Sequence, residues 1–317
     1  MARVDPAGKP IFSVNAMAMA RTIVIILHYR GVADTIACVA SVVAQCHDGL
    51  SLLVVDNGSS DGLGTAMETD WPSVPVLRLA TNTGWAGGNN AGIEWARRQG
   101  ADVVCLLNND TVVPAGVFDR MRSAASRFGL CLMHPAIDFA EPAEGVQLDP
   151  SHTPGALPVT GFSTLYEMDY AYGACLMVPM TVFDQIGGFD ERFFLQLEES
   201  DFYERARRRG IPAVCETSAR IFHAESRSFG GRVMPDKTYY AVRNSLLLAA
   251  KNAMRPGVAI GVLRRAYWGV SARGALGEKP AAWRVLVWVM SGQDHARAAR
   301  DGMRDFVFRR FGARRRR

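Results

Sequence analysis

Four short apolar runs, each broken off by polar or glycine-rich residues, limit what this chain can fold into: residues 22–27 (TIVIIL), 52–55 (LLVV), 76–79 (VLRL) and 103–107 (VVCLL). Uninterrupted runs of this kind read as strands covered on both faces, as in a parallel sheet packed between helices. Helical spacing separates them, with Ile36, Val39 and Val43 after the first run and Ile93 and Trp95 before the fourth. Alternating strands and helices predict an open, mostly parallel, Rossmann-like α/β sheet. Ligands of such sheets bind beyond the carboxyl ends of the strands. The residues that end each run are therefore the first candidates for function.

At 317 residues, 49% hydrophobic and 21% charged, the chain has the length and composition for one or two globular domains. The net charge of +5 is concentrated at the C-terminus, where residues 304–317 hold seven arginines against one acid, Asp305. That asymmetry fits contact with an anionic membrane surface or a solvated tail, and does not describe a nucleic-acid fold. From residue 258 to 292, Tyr267, Trp268, Trp283 and Trp288 interleave with Arg264, Arg265, Arg273 and Arg284. Six scattered cysteines, without zinc spacing, read as small buried hydrophobes in a reducing cytosol. No run reaches the roughly 18–20 apolar residues of a membrane-spanning helix. The expected organisation is an extension at residues 1–20, a sheet domain at 21–235 and a helical region with a basic tail at 236–317. The cytoplasm is the expected location, at the inner face of the membrane if the tail docks there.

Three strand ends and two later clusters carry chemistry. Asp56 opens DNGSSDG, where a carboxylate either accepts hydrogen bonds from a base or ribose or closes an Asx turn. The glycine-rich 84–90 stretch offers backbone N–H groups to phosphate, or is a tight turn. Asp110, after Asn108 and Asn109, is placed to hold a hard divalent cation such as Mg²⁺ or Mn²⁺, or to cap the next segment near Thr111 and Pro114. Glu198, Glu199 and Asp201 open a helix: apolar neighbours and like charge suit a general base, and a helix dipole also favours first-turn acids. His223 ends an apolar run as a structural imidazole or a metal ligand.

Taken in order, these pieces resemble family 2 glycosyltransferases of GT-A fold, especially the bacterial rhamnosyltransferase-like group. LLVVDNGSSDG, NTGWAGGNNAGI, LLNNDTVV, GACLMVPMTVFDQIGGFDERFF, LEESDFYERARRRG and IFHAESRSFG carry the likeness over residues 22–252. His28-Tyr29-Arg30 stands where the family usually has Asn-Tyr-Asn, and Asn108 stands in the first acidic place of its Asp-x-Asp region. The resemblance implies that Asp56 recognises the base and that Tyr29, Asn82, Gly87, Gly88, Asn89, Asn108 and Asn109 line the donor. It implies Asp110 as metal ligand with His223 near the metal or diphosphate, and Glu199, usually Asp in the family, as catalytic base flanked on the acceptor side by Glu198 and Asp201. The implied reaction is inverting transfer from a nucleotide-diphosphate sugar, dTDP-rhamnose first and a UDP-sugar second, to a glycan, lipid-linked or small-molecule hydroxyl. A nucleotidyltransferase would need a Gly-Gly-x-Ser/Thr-x-Arg loop, which residues 28–33 do not supply. A sugar-nucleotide-binding module without transfer would not need Glu199.

Overall fold

The computed structural model describes residues 20–139, 156–224, 234–252, 257–270 and 281–314. Residues 1–19 of the 1–20 extension, most of the 141–161 loop, the residues after Ala224 in the His-x-x-x-Ser ending, the Trp268 side chain, Arg273 and Arg315 to Arg317 lie outside them. The first half reads β1 (Thr22–His28), α1 (Val32–Val43), β2 (Leu50–Asp56), α2 (Leu63–Asp70), β3 (Val76–Arg78), α3 (Gly84–Arg98) and β4 (Val103–Asn108). It continues through β5 (Thr111–Val112), α4 (Val117–Phe128), β6 (Leu132–Phe139), β7 (Leu157–Pro158), β8 (Leu165–Met168) and β9 (Cys175–Pro179). Then come α5 (Met180–Ile186), α6 (Glu198–Arg208), β10 (Ala213–His223), α7 (Pro235–Lys251), α8 (Val258–Val270), α9 (Ala282–Met290) and α10 (Asp294–Val307).

Each of the four apolar runs forms a strand. β1 pairs in parallel with β2 and β4, and β2 with β3. The spatial order β3-β2-β1-β4 sends the chain out to one edge and back to the other side of β1. The connections therefore part at the carboxyl ends of β1 and β4, which leaves a crevice there. β9 lies antiparallel between β4 and β6, and β10 runs parallel to β6. Two reversals return β10 to the direction of β4, so His223 reaches the same sheet edge as Asn108. β5 pairs antiparallel with the end of β10, Thr111 opposite His223, and clasps the two strand ends together.

Alternation along β1 feeds two cores. Val24 and Ile26 face α1, α2 and α4, whereas Ile23 and Ile25 face α3, α5 and α6. Each of these side chains is at most 1% exposed, a burial that contributes roughly 1.5–3 kcal/mol apiece. α1 begins at Val32 behind Gly31 (φ 87°), and the Thr35 hydroxyl donates to the Gly31 carbonyl. α3 begins at Gly84, so the Gly87-Gly88-Asn89 stretch lies inside the helix. A Cβ on Gly88 would stand 2.4 Å from Leu27 Cδ1, so this glycine is needed for helix-on-strand packing. Five of the six cysteines are buried and only Cys46 is exposed. No helix among the described residues is long and apolar enough to cross a membrane.

His134, on β6, is fully buried beside Tyr170, and burial pulls its pKa from 6.5 down to about 4. The unfolded chain then binds the proton more readily than the folded one. Stability is fully present above pH 6.5 and is lost as pH falls through 4, by up to about 3 kcal/mol from this group. Urea titrations at pH 7 and pH 4 are expected to show that loss, and His134→Phe is expected to remove its share. An unchanged pH slope in His134→Phe would refute the assignment.

Candidate active site

The crevice at the switch point is lined from four directions. β1 supplies Leu27 and the following Tyr29, and β4 supplies Asn108 with Asn109 and Asp110 after it. The start of α3 supplies Asn82, Gly84 and Trp85, and the start of α6 supplies Phe194 to Gln196, Glu198 and Glu199. His223 and Lys237, on the first turn of α7, complete the wall.

Asp110 resolves first. It does not cap a helix, because α4 starts at Val117 behind Gly116. Its backbone carbonyl accepts from Ala224 N at 2.9 Å, and its Oδ1 lies 3.1 Å from His223 Nε2, both side chains being 6% exposed. Asn108 Nδ2 is 3.5 Å from the same imidazole nitrogen, and its Oδ1 accepts from the Trp85 indole at 3.0 Å. One carboxylate and one imidazole thus converge, a pair that suits a hard divalent cation completed by substrate oxygens, with the Asn108 oxygen turned to Trp85. Among the described residues there is no cluster of three His, Cys, Asp or Glu side chains. Asn109 is committed to the fold: its Nδ2 donates to Arg30 O and Thr35 Oγ1 at 3.0 and 2.8 Å.

Asn57, which the sequence reading passed over, is the hub of the donor-side wall. Its Nδ2 donates to Asn82 Oδ1 and Gly84 O, and its Oδ1 accepts from the backbone and hydroxyl of Thr83. Asn82 Oδ1 also accepts from Gly84 N at 2.8 Å, which fixes the α3 start. Gly84 (φ 77°) then lets this wall touch the opposite one: a Cβ there would be 2.2 Å from Phe194 O, which accepts from Trp85 N at 2.6 Å. Asp56 lies behind the lining, where its Oδ1 accepts from Ser59 N at 2.8 Å in an Asx turn. Gly87, Gly88 and Asn89 lie behind it as well; the Asn89 amide donates to Trp85 O inside α3.

Glu198 and Glu199 face the crevice from the first turn of α6. Glu198 is 4% exposed, and its Oε2 has no hydrogen-bond partner among the described residues. Burial pushes its pKa well above the usual carboxylate range, and the neighbouring Glu199 charge adds to that. Burial raises Glu199 too, although it keeps some exposure. Asp201 points elsewhere: its carboxylate is held by Arg205 at 2.9 Å and Lys251 at 2.6 Å, so it locks α6 to α7 instead of flanking an acceptor.

The loop into α6 is strained. Phe194, Gln196 and Leu197 have φ of 63°, 69° and 67°, a region that non-glycine residues avoid. Two fully buried α7 side chains hold it. Asn244 Nδ2 donates to the carbonyls of Phe193, Leu195 and Gln196, and the Arg243 guanidinium donates to those of Arg192, Phe193 and Gly312.

The fold is similar to that of solved GT-A structures. A GalNAc-T7 structure with UDP, GalNAc and Mn²⁺ superposes with a TM-score of 0.56 at 16% identity, covering 72% of this chain and 51% of that one. This chain thus spans about half the length of that enzyme. A Pyrobaculum calidifontis mannosyltransferase with GDP-Man and Mn²⁺ gives 0.54 at 13% identity over 98% and 91%. In sequence, an N-acetylglucosaminyl-diphospho-decaprenol L-rhamnosyltransferase of Mycobacterium tuberculosis is 27% identical, over 57% of this chain and 68% of its own. The Haloferax volcanii low-salt glycan biosynthesis hexosyltransferase Agl10 is 28% identical over 59% and 62%. The Glycosyl transferase family 2 model matches residues 22–187. On that match, which covers more than half of its length, this GT-A-type chain belongs to glycosyl transferase family 2.

Proposed function

We propose that the crevice transfers a sugar from a nucleotide-diphosphate donor to an acceptor hydroxyl with inversion at the anomeric carbon. The observation that carries this reading is the pairing, across one crevice, of the Asp110–His223 contact with the raised carboxyls of Glu198 and Glu199. A diphosphate leaving group needs positive charge, and a hydroxyl nucleophile needs a base on the opposite face of the sugar.

Glu199 is the base in this scheme. It is the more accessible of the two carboxyls, and in its ionised form it takes the acceptor proton as the new bond forms. Glu198, whose burial pushes its carboxyl well above the usual carboxylate range, shapes the acceptor side. Lys237 brings an ammonium group to the diphosphate end, and Asn82, Asn108 and Tyr29 line the sugar-nucleotide path, with Asp56 behind them as the base-recognising candidate. Asp110 and His223, with Asn108 beside them, would hold Mg²⁺ or Mn²⁺. When bound, the ion supplies charge neutralisation to the departing diphosphate.

Relatives support dTDP-rhamnose as the first donor to try and a UDP-sugar as the second. One relative, named for a diphospho-decaprenol-linked sugar, also supports a lipid-linked glycan acceptor. The test is a thermal-stability screen against dTDP-, UDP- and GDP-sugars with Mn²⁺, followed by an assay of nucleoside diphosphate release and product anomer. One donor is expected to stabilise the protein by about 2.7 kcal/mol at a hundredfold excess over its Kd. Asp110→Ala is expected to lose nearly all of that gain along with its dependence on Mn²⁺. Stabilisation of Asp110→Ala equal to wild type would remove Asp110 from the donor site. Binding without release, in the presence of acceptor glycan, would reduce the protein to a binding module.

A further inference from the structure

Helix α9 has two apolar faces, and among the described residues only one is covered. Val285, Trp288 and Val289 are buried against α7, α8 and α10. On the other side, Trp283, Leu286, Val287 and Met290 are 61%, 56%, 63% and 80% exposed. Their i, i+3, i+4, i+7 spacing aligns them as one stripe along the helix. A helix that is apolar all round is normally buried all round.

The charge around this stripe indicates what covers it. Residues 236–317 hold 18 Lys and Arg against 5 Asp and Glu, although the whole chain is only +5, so the remainder is net acidic. Arg284 sits over the Trp283 ring at 5.3 Å, and Arg264 and Arg265 on α8 are exposed. Two such strongly cationic regions repel each other, which disfavours a second copy of this chain as the partner. Four side chains also offer less than the roughly 800 Å² per partner of a standard protein interface. An apolar stripe with arginine beside it suits shallow insertion at the headgroup boundary of an anionic bilayer.

Part of the basic tail is tied down within the fold. Arg314 is tied to Asp236 and Asp301 at 2.6 and 2.9 Å, Arg304 to Asp301 at 2.9 Å, and the Gly312 carbonyl accepts from Arg243. We infer that α9 is a membrane-docking helix that inserts the Trp283, Leu286, Val287 and Met290 stripe into anionic phospholipid. This inference does not depend on which sugar is transferred or whether the acceptor is lipid-linked.

The test is sedimentation of the full chain with vesicles of phosphatidylglycerol and phosphatidylcholine, against phosphatidylcholine alone. Wild type is expected to co-sediment with the anionic vesicles only, with a blue shift in tryptophan emission that Trp283→Phe removes. Leu286→Glu combined with Met290→Glu is expected to weaken partitioning about tenfold or more. Both changes lie on exposed positions; an unchanged melting curve and unchanged donor-induced stabilisation would show that fold and donor site are intact. Equal sedimentation of the double variant would overturn the inference, as would failure of wild type to sediment. A dimer in analytical ultracentrifugation that the double variant abolishes would assign the stripe to a second copy. No donor enters the vesicle assay, so its failure leaves the glycosyl-transfer reading standing, and the reverse also holds.

Discussion

Glu199→Gln is expected to lower transfer by about 10²–10⁴-fold, the usual contribution of a positioned general base, while donor binding stays close to wild type. Gln keeps the length and the hydrogen-bonding shape of Glu199 but cannot take the acceptor proton. The loss therefore falls on kcat, and the donor-dependent thermal shift survives. Glu198→Gln is the control on the same turn. If Glu198 works as a buried neutral acid, its amide should cost far less, because the charge it removes is one that burial already suppresses. Equal turnover by Glu199→Gln and wild type would sink the role given to Glu199. A larger loss in Glu198→Gln would transfer that role to Glu198.

The same carboxyls set a pH profile. Burial raises Glu199 above its ordinary value, so its ionised, base-competent form appears only as pH rises through that elevated pKa. The limb of kcat against pH should rise with pH, lie above the range of a solvent-exposed Glu, and vanish in Glu199→Gln. Stability moves the opposite way. For both glutamates the folded state holds the proton more tightly than the unfolded state. Their contribution is complete below the unfolded value of 4.5 and is lost as pH rises through the folded values. The active form is thus the less stable form, a common cost of a buried base.

What the sequence made legible follows from where partners sit along the chain. The parallel strands were readable because a strand covered on both faces needs only a local apolar run. Asp110 and the α6 glutamates were readable because a strand end or helix start marks them locally. Asn57 gave no such signal, since its partners at Asn82 to Gly84 become its neighbours only when β2 and the α3 start come together. Asp201 looked like one of a trio of site acids until Lys251, fifty residues on, was seen to hold it. The glycines at 87 and 88 fit either a phosphate-binding helix start or a tight turn, whereas Gly88 is small because α3 lies against Leu27. Nothing local distinguishes Arg243 from the other helical arginines; its burial depends on α7 packing against the 192–196 loop and Gly312.

That arginine and its neighbour support the second large prediction. Three left-handed non-glycine residues cost of order 1–3 kcal/mol each, so the loop that presents Glu198 and Glu199 persists only while something over-determines it. Asn244 does so by donating to three carbonyls at 2.7–2.9 Å, and the fully buried Arg243 by donating to the Phe193 carbonyl as well and to those of Arg192 and Gly312. Asn244→Asp keeps the volume but replaces the amide donor with a carboxylate facing carbonyl oxygens. It should release the loop, lower kcat at least about tenfold and cost on the order of 3 kcal/mol of stability, since buried acceptors left unmade cost about 1–3 kcal/mol each. Arg243→Met should cost at least as much, because Arg192, Phe193 and Gly312 each lose a donor. Melting curves and single-turnover kinetics separate the two effects. Below the melting transition, a purely structural role would leave the pH limb of the folded Asn244→Asp fraction where it is in wild type. A positioning role should move that limb, because a freed α6 start changes the burial that raises Glu199. An Asn244→Asp protein with wild-type turnover and an unmoved pH limb would show that the loop keeps its conformation without the clamp.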